Sequence, residues 1–282
     1  MSPRQPILAL LVLLGLAVLP AHAAESYDNC TGFIDSLPTT ISTQGVWCLR
    51  GDLATGMTSG TAITIATNNV TIDCNDFKIG GLAAGDSSQA SGIRADSRLN
   101  ATVRRCNARG FFMGINLVGG AGHLVEDNRL DNNLYMGIHV TGEQNRVLRN
   151  LVFDTGGTPD APFNGVSWGI YANADIIDNT VSGVYAVGAD TFPRGIYVLE
   201  GSGFEVRGNR IRRLVVDGSG TGFGIITNGT DIVLADNRVR SAVAGYGIID
   251  NGATDAVCIG NTVSGFGIAF SNCINGGGNA SN

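Results

Sequence analysis

The chain has 282 residues, with 18 Lys and Arg against 24 Asp and Glu, a formal charge of −6, and only 15% charged residues. An acidic balance without a basic block argues against a nucleic-acid partner. The 41 glycines suit a fold of many tight turns and little helix.

At the N-terminus, Arg4, the apolar run Ile7 to Leu19 and the triplet Ala21-His22-Ala23 read as a secretory signal cleaved after residue 23. This predicts a secreted or periplasmic protein with no membrane span in the mature chain. Residues 24–60 lack the repeat found downstream and are read as an N-terminal cap over one end of a solenoid, whose ends expose strand edges and core. Six cysteines in an exported chain predict disulfides. Position suggests Cys30 with Cys48, Cys74 with Cys106 and Cys258 with Cys273, the alternative being a buried thiol at Cys106 or Cys258.

From Gly92 onward the dipeptide Gly-Ile recurs, at Gly92, Gly114, Gly137, Gly169, Gly195, Gly224, Gly247 and Gly267. A second motif, apolar-x-x-Asn-x-apolar, alternates with it through Asn128, Asn150, Asn179, Asn209, Asn237 and Asn261, with Cys106 in the first Asn place. Short strand-like units repeating at this period predict an all-β fold, a single-stranded parallel β-helix of about nine coils over residues 61–273. Like residues of successive coils then stack. The Ile of Gly-Ile points inward, the Gly permits a tight bend, and the Asn specifies a second bend by bonding the backbone and the Asn of the next coil. Arg105, Asp127, Arg149 and Asp178, each just before a ladder position, alternate in sign and predict cross-strand pairing. Residues 274–282, with the run Asn275 to Asn279, read as a flexible tail.

From Gly-Ile to the next ladder position the spacing is 10 to 14 residues, but from the ladder position to the next Gly-Ile it is 6 to 19. Insertions therefore project from one corner, and the three longest are consecutive. These loops, residues 153–168, 182–194 and 212–223, are the candidate binding face. They carry Asp154, Asp160, Trp168, Asp190, Arg194, Arg212 and Arg213. Beside them the outward row of the Gly-Ile strand reads Arg94, Asn116, His139, Tyr171, Tyr197, Ile226, Ile249 and Ala269. Stacked Tyr171 and Tyr197 can pack against sugar rings while Asn116 and His139 bond hydroxyls. Arg210, Arg212, Arg213, Arg238 and Arg240 fall in neighbouring coils, where guanidinium forks can hold uronate or sulfate.

The Gly-Ile and Asn ladders resemble the right-handed parallel β-helix proteins of the pectate lyase-like superfamily. The resemblance spans residues 61–273 and implies a right-handed helix and a carbohydrate partner, an acidic polysaccharide included. The superfamily holds lyases, hydrolases, epimerases, tailspikes and proteins without known activity, so it implies no one reaction. Adjacent aspartates and Arg-x-Lys of polygalacturonases are missing, as is the Asp-Pro-His-Asp of alginate epimerases. A lyase of this kind needs carboxylates for a bridging calcium and a base, for which Asp154, Asp160 or Asp190 with Arg194 or Arg212 are the candidates. No other cofactor is required. The expected function is binding, and in the enzymatic version cleavage, of polysaccharide by a lyase or hydrolase route. The alternative is a non-catalytic surface, adhesion or structural protein.

Overall fold

The structure, a computed structural model, describes residues 27–252 and 254–282. The expected signal segment, residues 1–23, lies outside the described residues. Among them, apart from one 3-10 turn at Leu82–Ala84, all regular structure is β, and every pairing joins parallel strands of successive coils. Each full coil gives one strand to each of three sheets, the arrangement of a parallel β-helix.

The first sheet contains the Gly-Ile strands, among them Ser91–Leu99, Met113–Ala121, Val166–Ile177 and Phe192–Val198. Ile63, Ile93, Ile115, Ile138, Ile170, Ile196, Ile225 and Ile248 lie in register and are wholly buried. Each such side chain contributes about 1.5–3 kcal/mol by leaving water. The second sheet begins with Gly32–Ile34, Gly45–Leu49 and Val70–Asp73, and the third includes Leu151–Phe153, Thr180–Ser182 and Arg210–Arg212. Val125, Val147, Ile176 and Val206 in the second sheet, and Leu130, Val152, Val181 and Ile211 in the third, close the core.

The glycine of Gly-Ile serves close approach rather than a bend. A β-carbon on Gly137 would lie 2.5 Å from Val152 Cγ1 and 2.7 Å from the Gly169 carbonyl oxygen. Gly114, Gly169, Gly195, Gly224 and Gly247 face the same kind of obstruction. Gly267 does not, because the last copy is out of register: Phe270, not Ile268, pairs with Ile248, and Ser271, not Ala269, continues the outward row from Ile249. Two register shifts along this pairing lower its offset from 24 residues at Arg240 and Ser264 to 22 at Ile248 and Phe270, still two more than the 20 from Gly247 to Gly267, and Ile268 is left 44% exposed.

The bend between the second and third sheets holds the Asn ladder. Asn150 accepts from the backbone N–H of Asn128 and donates to the Val125 carbonyl and to Asn179 Oδ1. The same three bonds recur at Asn179, Asn209, Asn237 and Asn261. The residue before each ladder position adopts a left-handed backbone, with φ of 51° at Arg105, 55° at Asp127, 58° at Asp178 and 68° at Gly208. That conformation is what the recurring Asp and Gly there supply. The expected cross-strand pairing holds for Arg149 with Asp127, whereas Arg105 turns to buried Asp73.

The structure draws the ends of the solenoid further out than the repeat does. Thr39–Ile41, Gly45–Leu49 and Leu53–Ala54, in the segment read as a cap, already form one complete coil stacked on the next. Alternating Ile41, Cys48 and Leu49 suffice to bury the inner face there without Gly-Ile. At the other end Ile274–Asn275 and Ala280–Ser281 pair with the preceding coil, and Asn279 takes the ladder position, its Oδ1 accepting from Asn261 N at 2.9 Å. The run read as a flexible tail is thus tied down by the same amide geometry. The disulfides are Cys30–Cys48, Cys74–Cys106 and Cys258–Cys273, as expected from position, and the thiol alternatives for Cys106 and Cys258 fall away.

Candidate functional site

Outward positions of the first sheet form two adjacent columns. One is the expected row, Asn116, His139, Tyr171, Tyr197, Ile226 and Ile249. The other, unforeseen as a row, is the residue before each Gly-Ile: Met113, Met136, Trp168, Arg194, Phe223 and Tyr246. Trp168 and Arg194, expected in loops, are strand residues of this second column. Reading the position just before each glycine reveals the column in the sequence.

The two columns merge into an aromatic band. Tyr135 stacks on Phe112 at 4.7 Å, and Phe163 meets both rings edge-on at 4.9 and 5.1 Å. Trp168 stands edge-on to Tyr135 at 5.0 Å and to Tyr171 at 5.6 Å. Tyr171 touches His139 at 5.0 Å and Tyr197 at 5.1 Å, and Phe223 stacks on Tyr246 at 5.7 Å. The band crosses six coils, about 24 Å at the spacing of neighbouring strands. A cavity of about 350 Å³ opens in it, lined by Trp168, Tyr171, Arg194, Tyr197, Phe223 and Asn251 among others.

Arg194 is the electrostatic centre. Its guanidinium lies 5.0 Å from the Trp168 ring, 5.6 Å from Phe223 and 6.0 Å from Tyr197. Among the described residues its guanidinium has neither a hydrogen-bond acceptor nor an ion-pair partner, and none of its nitrogens is sealed from solvent. Burial pulls its pKa down, against the opposing effect of the Tyr197, Tyr135 and Tyr171 hydroxyls. The guanidinium is thus surrounded by rings and lines the cavity with its N–H donors uncommitted. Burial also pushes Tyr135 up to about 12 and raises Tyr171 and Tyr197. Asn228 donates to the Tyr197 hydroxyl.

His139 is held neutral. Burial, with the Arg94 charge second, pulls its imidazole down to about 4. Its Nδ1 lies 2.9 Å from Asn116 Oδ1; the neutral ring donates there, which leaves Nε2 as an acceptor.

The expected catalytic carboxylates do not converge on this site. Asp154 lies 3.8 Å from Arg213 at the start of its loop. Asp160 sits in the loop 154–165, where its carbonyl accepts from Phe163 N–H at 2.8 Å. Asp190 accepts from the backbone and hydroxyl of Ser219 at 2.8 and 2.7 Å, and these bonds hold its carboxyl below the ordinary value. The Asp154 and Asp190 carboxylates thus tie neighbouring loops together, while Asp160 bonds within its own loop through its main chain. The three loops continue the stack beyond the sheets, Tyr185 N–H donating to the Thr155 carbonyl and Val215 N–H to that of Val184. Among the described residues no three His, Cys, Asp or Glu side chains cluster to hold a metal. Arg210, Arg212 and Arg213 lie in or just after the third sheet, on a different face from Arg194.

A larger recess, about 750 Å³, lies between the first and second sheets around Glu143, Arg146, Asp175, Glu200 and Phe204. It has a single ring and mainly acidic charge, so the smaller aromatic cavity is the better site for a sugar chain.

A family model described as a right handed beta helix region matches residues 114–281. The chain belongs to the right-handed β-helix family. Its β-helix is similar to that of the Dettilon tailspike protein, at 16% identity and a TM-score of 0.49, over 88% of this chain and 58% of that one. It is also similar to an alginate lyase from Paenibacillus sp., at 16% identity and a TM-score of 0.42, over 83% and 90%. The catalytic domain of a GH87 α-1,3-glucanase follows at 12% identity and 0.39, over 89% and 63%. This β-helix thus spans under two thirds of the tailspike and glucanase chains. No curated protein matches the sequence. Among the described residues no helix is long and apolar enough to cross a membrane.

Proposed function

We propose that this β-helix is a secreted or periplasmic protein that binds acidic polysaccharide along the aromatic band. The observation that carries the reading is Arg194: a guanidinium stacked among rings, without a protein acceptor, opening into a cavity. Rings favour the apolar faces of sugars, and the free fork favours a carboxylate or sulfate on the same chain. Three disulfides support an oxidising compartment.

Binding without cleavage is the version the geometry favours, because Asp154 and Asp190 are spent on loop contacts and none of Asp154, Asp160 and Asp190 lines the cavity at Arg194. Affinity electrophoresis through polygalacturonate, alginate and neutral dextran tests it, paired with absorbance of unsaturated ends with and without calcium. Retardation by an acidic gel without absorbing product is expected. Absorbing product restores the lyase reading, and no retardation in any gel sinks the proposal.

A further inference from the structure

The geometry points to a second site for acidic polysaccharide, an arginine platform on the third sheet that is independent of the aromatic band. Four strands in register present outward Thr180, then Arg210 and Arg212, Arg238 and Arg240, and Thr262 and Ser264, with Ser182, at the place before Arg212, buried. Arg210 stands directly opposite Arg238, and Arg212 opposite Arg240. Their Cα positions form a rectangle of about 4.8 Å by about 7 Å.

Like charges opposed in this way destabilise a sheet, and the chain has acids enough to neutralise them. It does so elsewhere: Arg104 and Arg105 share Asp73, Arg109 meets Asp131, and Arg149 meets Asp127 and Glu126. None of the four platform arginines has a carboxylate within 4.0 Å among the described residues, and all four are exposed. A recess of about 910 Å³ beside them is lined by Arg212, Arg213, Arg240, Ser264 and Asn282 among others. The unneutralised array fits the carboxylate or sulfate groups of a polysaccharide strand, each held by a guanidinium fork, with the flanking Thr and Ser hydroxyls meeting sugar hydroxyls. A nucleic acid fits less well, because none of the outward platform residues carries a ring on which a base could stack.

The test uses the full chain with Arg210, Arg212, Arg238 and Arg240 all changed to Gln, beside a Tyr171→Ala/Tyr197→Ala variant. Probes are dextran sulfate, polygalacturonate, neutral dextran and a single-stranded oligonucleotide. The Gln variant is expected to bind dextran sulfate or polygalacturonate at least about tenfold more weakly, as lost charged hydrogen bonds require. Its melting temperature should be unchanged or raised, since repulsion is relieved. The Tyr variant should keep its dextran sulfate affinity within about twofold while losing the aromatic site. The platform is overturned if the Gln variant binds every polyanion as the parent does, if the parent binds none, or if the Tyr variant alone abolishes binding. An oligonucleotide bound as tightly as dextran sulfate overturns the assignment to polysaccharide.

Discussion

Two corners of each coil are built on opposite terms. At the Asn corner the ladder amides are buried and bonded, and the pattern repeats from Asn128 to Asn279. At the loop corner the connection varies in length, Thr155 Oγ1 and Trp168 Nε1 are buried without partners, and Arg194 faces a cavity unpaired. Satisfied polar groups specify one structure; unsatisfied ones beside a cavity are available to a ligand. In this molecule buried, fully bonded polar groups mark stability, and unpaired ones beside a cavity mark the aromatic band where binding is proposed.

The sharpest way to break this comparison is Asn179→Ala. It removes bonds to Val147, Asn150 and Asn209 and leaves buried groups unsatisfied, so urea denaturation should show a loss of about 4 kcal/mol. A loss under about 1 kcal/mol would mean that the ladder is decoration. Replacing Cys74 and Cys106 by Ala opens a link across a sequence separation of 32 and should cost about 3–4 kcal/mol in the same assay. Next comes His139, whose folded pKa of about 4 lies below its unfolded value. As pH falls below about 6.5 the unfolded chain takes up a proton that the folded chain refuses until about pH 4, so stability drops across that window and the contribution is gone below it. Relative to His139→Gln, the parent should lose up to about 3 kcal/mol between pH 7 and 4, less whatever partial exposure of the ring restores. An NMR midpoint for the ring near 6.5 would contradict the buried, neutral assignment. The smallest effect on folding belongs to Tyr171→Ala and Tyr197→Ala, which should leave cooperative unfolding intact yet, in a chain whose four platform arginines are already Gln, weaken the remaining retention on polygalacturonate by about tenfold. Retention unchanged in both would move binding off the band.

The fold was legible because a solenoid writes its geometry repeatedly: inward Ile115, Ile138 and Ile170 and ladder Asn128, Asn150 and Asn179 each stand where the repeat puts them. Its ends were less legible, since strands such as Thr39–Ile41 need only alternation and carry no signature. The site was read in part. Tyr171, Tyr197 and their register followed from the row, but Tyr135 and Phe163 reach the band from a connection and a loop whose paths no repeat dictates. The aspartates were misplaced for the same reason, because loops stacked on one another use carboxylates as ties, as Asp190 does with Ser219. The two-residue mismatch of Ile268 left no mark in a dipeptide that looks like the others.

Two of the three disulfides clasp the extremities, Cys30–Cys48 at the start and Cys258–Cys273 at the finish. A stack in which each layer touches only its neighbours unravels from its free ends, one layer at a time. With both extremities fastened, rupture has to start in the middle of the pile, where a layer is gripped from above and below. Such a molecule should resist peeling by proteases, heat and shear for as long as its clasps stay oxidised, and chemical reduction is the treatment that would set the unravelling free.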